Sequence, residues 1–424
     1  MKKPTAMAML ACLVCAPIVL AQDKANSQQA SPQFLPRQPR GIYAVVLAFD
    51  HHPYTAALDN PAISGLFLYF DWATLEPKKG QFDFSLLERA FTLADSAHKT
   101  IQLALLPGFS TPSWLLDELP SCDGWLASGG SVGVAAPHCG KARFGLPEGV
   151  ARKGEIHELP LPWDPVYKQY WHAFLLEFAK RFGQRASFVS IAIAGPTSQS
   201  EEIILPHNGP DETEKWARLL DARYEDPSYH RSNKAFVEEW KAAIDDYGAI
   251  FSNLTLALTR AAGFPFSPTG RGGHEASTLE IAAYFASKPL GSNAKATQNN
   301  GVTAAHALTL RPVKAMSADK RFSPRILGGG EFATGFARDP AREGCLSDDK
   351  SAPACRSVTP ARALANVLAV FFAGTPYGHF YGARDGTATL RYLQIYLGDI
   401  LYADEHPPVQ AALLEASKRI LSMY

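Results

Sequence analysis

The sequence predicts an α/β protein folded as a (β/α)8, or TIM, barrel, and three observations carry that expectation. From Gly41 onward, short apolar runs alternate with amphipathic stretches of helical spacing, an order that calls for parallel strands joined by helical crossovers. Eight strand candidates can be counted along the chain. The segments after them are long, as in a barrel that carries its chemistry on the loops beyond the strand C-termini. A doubly wound sheet matches this count and spacing less well, and no periodic repeat suggests a solenoid.

The strand candidates are "IYAVVLAF", "GLFLYF", "IQLALLP", "FVSIAIAG", "LTLALTR", the segment "NAKATQNNG", "RILGGGEF" and "RYLQIYLGDIL". Between them lie helical patterns. "DFSLLERAFTLADSAH" has Asp83 or Ser85 as its cap, and "PVYKQYWHAFLLEFAKRFG" ends at Gly183. "KAFVEEWKAAIDDYGAIF", "TLEIAAYFAS", "TPARALANVLAVFFAG" and the closing "PVQAALLEASKRIL" follow.

Composition narrows the function. The chain has 424 residues with 46% apolar and 19% charged, and Lys+Arg equals Asp+Glu at 41 each. This is the profile of a protein with a sizeable core. Without a basic tract, nucleic acid and an anionic membrane are excluded as main partners.

The N-terminus reads as an export signal: Lys2 and Lys3, an apolar core, and small residues before Gln22, with cleavage after Ala21. The alternative, a lipid-modified Cys12, would cut the apolar core in half. Residues 1–21 are thus expected to be a signal peptide and 22–40 a polar, proline-bearing disordered leader. Residues 41–424 are expected to form a single barrel, without membrane attachment once the signal is removed and located in the periplasm or outside the cell. Export leaves Cys122, Cys139, Cys345 and Cys355, which allow three pairings. The local pairs Cys122–Cys139 and Cys345–Cys355 suit an oxidising compartment. A metal site is the alternative, but no CxxC spacing or paired histidine supports it.

Several chemistries lack their residues. There is no G-x-S-x-G nucleophile elbow, no P-loop, and no H-E-x-x-H, since "HELP" at 157–160 has no second histidine. "GGGEFA" matches a dinucleotide fingerprint only if a helix starts there, and the following "FARDPAREGC" is broken by proline.

The wording of the second and third strands is more specific. "W-x-x-L-E-P-x-x-G-x-F-D-F-S" from Trp72, and "LLPGFSTPSWL" with Trp114, resemble glycoside hydrolase clan A barrels. Family 42 β-galactosidase-like enzymes are nearest, with family 5 behind. "PWDPVYKQYWHAFLLEFAKRFG" is similar to the helix before their fourth strand.

The resemblance implies a retaining glycosidase with an acid/base carboxylate after strand four and a nucleophilic carboxylate after strand seven. The chain supplies both. Glu202, with Glu201 as alternative, follows strand four, and Glu331 follows strand seven. Such a pair, about 5 Å apart, carries retaining hydrolysis without cofactor or metal. Gly328, Gly329 and Gly330 would allow close backbone approach beside Glu331. Glu202 is preferred over Glu201 because the chain must first clear the barrel rim. Where the family places asparagine before its acid/base, this chain has Ser200 before Glu201. Sugar contacts are expected from Trp72 and Trp114, from Gln298, Asn299 and Asn300 at the end of strand six, and from Tyr396, with a carbohydrate as the partner. Arg260 is a further candidate. A sugar-binding barrel without activity, or a transglycosylase using the same residues, are the alternatives to hydrolysis of a β-linked sugar.

Overall fold

The computed structural model describes residues 37–47, 54–129, 138–146, 154–259, 262–267, 276–287, 300–304, 326–331, 335–345, 351–372 and 390–422. Eight of their strands form one closed barrel: β1 (Gly41–Val46), β2 (Ile63–Asp71), β3 (Thr100–Leu106), β4 (Phe188–Ala192), β5 (Thr255–Thr259), β6 (Asn300–Ala304), β7 (Ile326–Glu331) and β8 (Leu390–Tyr396). Each pairs in parallel with its neighbours in chain order, and β8 closes on β1 with Ala44 beside Ile395 and Val45 beside Tyr396. The eight predicted strands are all present. They were visible because strands covered on both faces read as near-continuous apolar runs.

Two boundaries differ from expectation. The eighth strand stops at Tyr396, and "LGDIL" begins a helix, Leu397–Glu405, that buries Leu397, Ile400 and Ala403 at helical spacing. The sixth strand is "NGVTA". The amide-rich "TQNN" therefore leads into the strand instead of ending it, because Val302 and Thr303 are the residues suited to a pleated ladder.

Inward residues recur with period two. Tyr43, Val45, Phe67, Tyr69, Ala104, Leu106, Ala192 and Tyr392 form a cluster of their own inside the barrel. The larger core lies between the strands and the helices. The helix Pro165–Phe182 shows how the sequence builds that layer. Asp164 caps it by accepting from Tyr167 N at 2.8 Å, with Pro165 in the first turn, and Gly183 follows its end. Tyr167, Trp171, Phe174, Phe178 and Phe182 form its buried stripe and meet Phe84, Phe91 and Phe188.

The barrel's lower rim also holds chain expected to be leader. Arg37 bridges to Leu254, its guanidinium donates to the Gly183 carbonyl, and its own carbonyl accepts from Thr255 Oγ1 at 2.7 Å. Arg37, expected in the leader, thus contacts the barrel.

Both local disulfides are formed. Cys122–Cys139 closes part of the excursion after β3, which also contains the antiparallel hairpin Lys141–Gly145/Ile156–Pro160. Cys345–Cys355 joins the helices Pro340–Gly344 and Pro353–Arg356. Among the described residues, no helix is long and apolar enough to cross a membrane.

The conspicuous second-strand motif is a structural staple. The buried Glu76 carboxylate accepts from Trp72 Nε1 at 2.8 Å and from Gly80 N at 2.9 Å, where φ of +70° suits glycine. The Glu76 carbonyl accepts from Trp114 Nε1 at 3.0 Å. One residue thus fixes two indoles and a turn. Replacing Glu76 with alanine is expected to cost about 1–3 kcal/mol in urea unfolding, because it strands the buried Trp72 N–H. Glutamine, which keeps one acceptor, should recover part of that loss.

Candidate active site

The loop after β4 is held from three sides before its glutamates are reached. Ile193 N donates to the Ala257 carbonyl at 2.9 Å, and Gly195 then passes against Trp240. A Cβ at Gly195 would lie 2.6 Å from that indole, whose Nε1 donates to the Pro196 carbonyl at 3.1 Å. This close approach accounts for the Gly-Pro break in the sequence.

On the β3 side, Phe109 N donates to the Ser198 carbonyl at 2.7 Å. Gly108, at φ +69°, lies so close that a Cβ would come within 2.5 Å of the Thr197 and Ser198 carbonyls. On the β5 side, Ile203–Ile204 pairs with Ala262–Gly263, and Leu205 N donates to the Gly263 carbonyl at 3.0 Å. Within the loop, Thr197 Oγ1 lies 2.6 Å and 2.8 Å from the carbonyls of Ser200 and Glu202.

This frame separates the two glutamates. Glu201 is fully buried. Its Oε1 accepts from Tyr69 Oη, near the end of β2, at 2.9 Å and from Thr259 Oγ1, the last residue of β5, at 3.0 Å. Its Oε2 is equally buried and has no hydrogen-bond partner among the described residues. Burial pushes the Glu201 carboxyl up to about 7 and the neighbouring Glu202 charge pushes the same way, while its own backbone N–H and then the Tyr69 and Thr259 hydroxyls oppose both. Glu202 stays partly exposed, with Ser200 Oγ 3.3 Å from its Oε2 and 3.2 Å from its backbone nitrogen.

The sequence favours Glu202, and the buried member of the pair is Glu201. The turn through Thr197 and Ser200 carries the first glutamate inward, against β2 and β5, and leaves the second at the rim. Ser200 takes part in that turn, with its carbonyl tied to Thr197.

Glu331 is the last residue of β7, in register with Gln394 of β8. The three glycines before it lie within the strand, in register with Val302–Ala304 on β6. They belong to a barrel ladder and do not open a helix, which removes the dinucleotide reading. Gln394 is buried and donates through Nε2 to Gln102 Oε1 at 2.9 Å, crossing between β8 and β3. Beyond β7, Asp399 accepts from Phe336 N at 3.0 Å and Ala337 N at 2.9 Å. It thereby anchors the chain that follows Glu331, while burial pushes its carboxyl up to about 6.

The expected sugar contacts divide. Tyr396 ends β8 and packs, partly buried, on the cluster inside the barrel. Trp72 is fully buried between Trp171, Phe174 and Trp114, so it has no face for a sugar and is a core residue. Trp114 stands edge-on to Trp72 and to Tyr170 of the outer helix, its N–H engaged by Glu76, and so belongs to the same helix-covered layer. Asn300 begins β6 and so sits at the rim opposite the strand C-termini. Gln298, Asn299 and Arg260 lie outside the described residues.

Tyr69 and Thr259 are the residues that sequence reading missed. Alternation in "FLYFD" places Tyr69 on the same face as Phe67 and Asp71, which was the available signal. Asp71, at the end of β2, accepts from Ser110 Oγ at 2.6 Å and adds a polar pair beside β3. Among the described residues, no cluster of side chains suits a metal ion.

Residues 66–134 match the glycoside hydrolase family 42 model, described as β-galactosidase. No curated protein matches. Among solved structures, the catalytic domain of a β-amylase from Paenibacillus polymyxa aligns at 10% identity over 90% of this chain and 99% of its own, with a TM-score of 0.45. The chain resembles the clan A glycoside hydrolases, and the family match supports a glycoside hydrolase. It covers most of β2, β3 and the first part of the following loop, and ends before the glutamates.

Stability should register the buried carboxyl. A folded-state value raised from 4.5 to about 7 gives stability that is present in full below pH 4.5 and lost as pH rises toward 7. Glu201→Gln, always neutral, should escape that loss. Its unfolding free energy relative to the parent is expected to climb between pH 5 and pH 7, by at most about 1.4 kcal/mol per pH unit, and its thermal midpoint to rise with it. A difference that stays flat with pH would contradict a buried, titrating Glu201.

Proposed function

We propose that this protein is an exported retaining glycosidase that cleaves a β-linked sugar, with Glu201 as acid/base and Glu331 as nucleophile. The burial of Glu201 in the loop that follows β4 is the observation that carries this reading. A general acid must hold its proton near neutral pH and give it up on demand. Removal from water, with a second carboxylate beside it, favours that state.

In the first step the Glu331 carboxylate attacks the anomeric carbon. The Glu201 proton passes to the glycosidic oxygen, so the leaving sugar departs neutral. In the second step Glu201, now a carboxylate, takes a proton from water, and the hydroxide so formed displaces Glu331. Tyr69 and Thr259 support the acid, Ser200 holds the turn that carries it, and Glu202 contributes negative charge at the rim. The two carboxyl groups suffice, without cofactor or metal. Asp71, Ser110 and Tyr396 are suited to sugar hydroxyls at the mouth. Equal numbers of acidic and basic residues suit an uncharged saccharide. The basic, apolar N-terminus and two disulfides support export.

The test is trapping with 2-deoxy-2-fluoro glycosides, read by peptide mass mapping. The expected result is one covalent sugar on Glu331, with the β anomer appearing first in proton NMR of hydrolysed natural glycosides. Failure to trap with any glycoside, together with sugar binding that survives Glu331→Gln, would instead indicate a non-catalytic carbohydrate-binding barrel.

A further inference from the structure

The two oxygens of Glu201 are unlike each other. Oε1 accepts from two hydroxyls, Tyr69 Oη at 2.9 Å and Thr259 Oγ1 at 3.0 Å, offered by strands on either side of β3 and β4. Oε2 is just as buried and receives nothing from the described residues. A carboxyl buried for packing alone would gain by sharing the two donors between its oxygens, because an orphaned buried acceptor costs free energy. Placing both on Oε1 leaves that oxygen as the carbonyl acceptor of a neutral acid. It also leaves Oε2 as the O–H, with no acceptor in the described structure.

We propose that Tyr69 and Thr259 are positioning residues that confine the transferable proton of Glu201 to Oε2, where it faces an acceptor brought by the ligand. The inference rests on the reading of Glu201 as acid/base. A glycosidic oxygen is a lone-pair acceptor and complements an O–H held in this way. After transfer, the same hydroxyls stabilise the carboxylate through Oε1, since hydrogen bonds to the charged form favour it. The clamp therefore also sets how readily the proton leaves. The titratable groups on the surrounding elements are Glu202 on the same loop, Tyr69 and Asp71 on β2, Glu331 on β7, Tyr43 on β1, and Arg391, Tyr392 and Tyr396 on β8. β3, β4, β5 and β6 carry none.

Two readouts on Tyr69→Phe, Thr259→Val and Thr259→Ser test this. The first is the protonated-carboxyl stretch of Glu201 in infrared titration, isolated by subtracting the Glu201→Gln spectrum. The second is the alkaline limb of kcat/KM on a glycoside with a poor leaving group. Losing either donor should raise the infrared midpoint and move the alkaline limb upward together, by about one pH unit, while Thr259→Ser keeps the parent values. Phenylalanine preserves the ring, and a melting curve confirms that each variant folds. An unmoved infrared midpoint in both Tyr69→Phe and Thr259→Val overturns the proposal. A midpoint that moves while the alkaline limb does not would uphold the hydroxyl clamp and overturn Glu201 as the acid.

Discussion

The structure depends on removing one carboxyl group from water. Glu201 sits in the loop after the fourth strand, fully buried, with one oxygen held by hydroxyls from the second and fifth strands. An isolated carboxylate in that position would be strongly disfavoured, so burial shifts the group toward its protonated form. Holding it there requires a stiff loop. Trp240 against Gly195, Phe109 on Ser198, and the short ladder with Ala262–Gly263 supply contacts from three neighbouring elements. If that loop relaxed, the carboxyl would meet water and its acidity would return toward that of an ordinary glutamate.

Asp399 follows the same logic on the other side of the barrel mouth. It is buried and raised in pKa, and it uses both oxygens on backbone N–H groups of the chain beyond Glu331. The contrast is chemical. Asp399 satisfies both oxygens with fixed donors and serves as an anchor, whereas Glu201 leaves one oxygen open. Two buried acids near one rim thus differ in where their hydrogen bonds go.

Much of the fold was legible because parallel strands covered on both faces leave an unmistakable apolar run, as in "IQLALLP" and "FVSIA". The sixth strand was misplaced by a few residues because "NGVTA" is short and its amide-rich approach looked like a strand end. Trp72 misled for a different reason. An exposed stacking platform and a core plug look alike in sequence, and only the packing of Trp171 and Phe174 around it decides. Which of Glu201 and Glu202 is buried was beyond pattern reading, since it turns on the Thr197 hydroxyl folding the loop back on Ser200. Tyr69 was within reach, because period-two alternation places it inside the barrel. The residues that resemble known glycosidases, Trp72, Glu76 and Trp114, prove to be framework, which is why a family match can be specific there and silent about chemistry.

The most direct test compares Glu201→Ala with Glu202→Ala across aryl glycosides of graded leaving-group acidity, with and without azide. If Glu201 is the acid/base, its alanine variant should lose kcat/KM more steeply as the leaving group becomes poorer. Azide should restore its turnover with formation of a β-glycosyl azide, while Glu202→Ala stays close to the parent. The opposite pattern, with leaving-group sensitivity and azide rescue in Glu202→Ala alone, would contradict the assignment of the buried carboxyl as the proton donor.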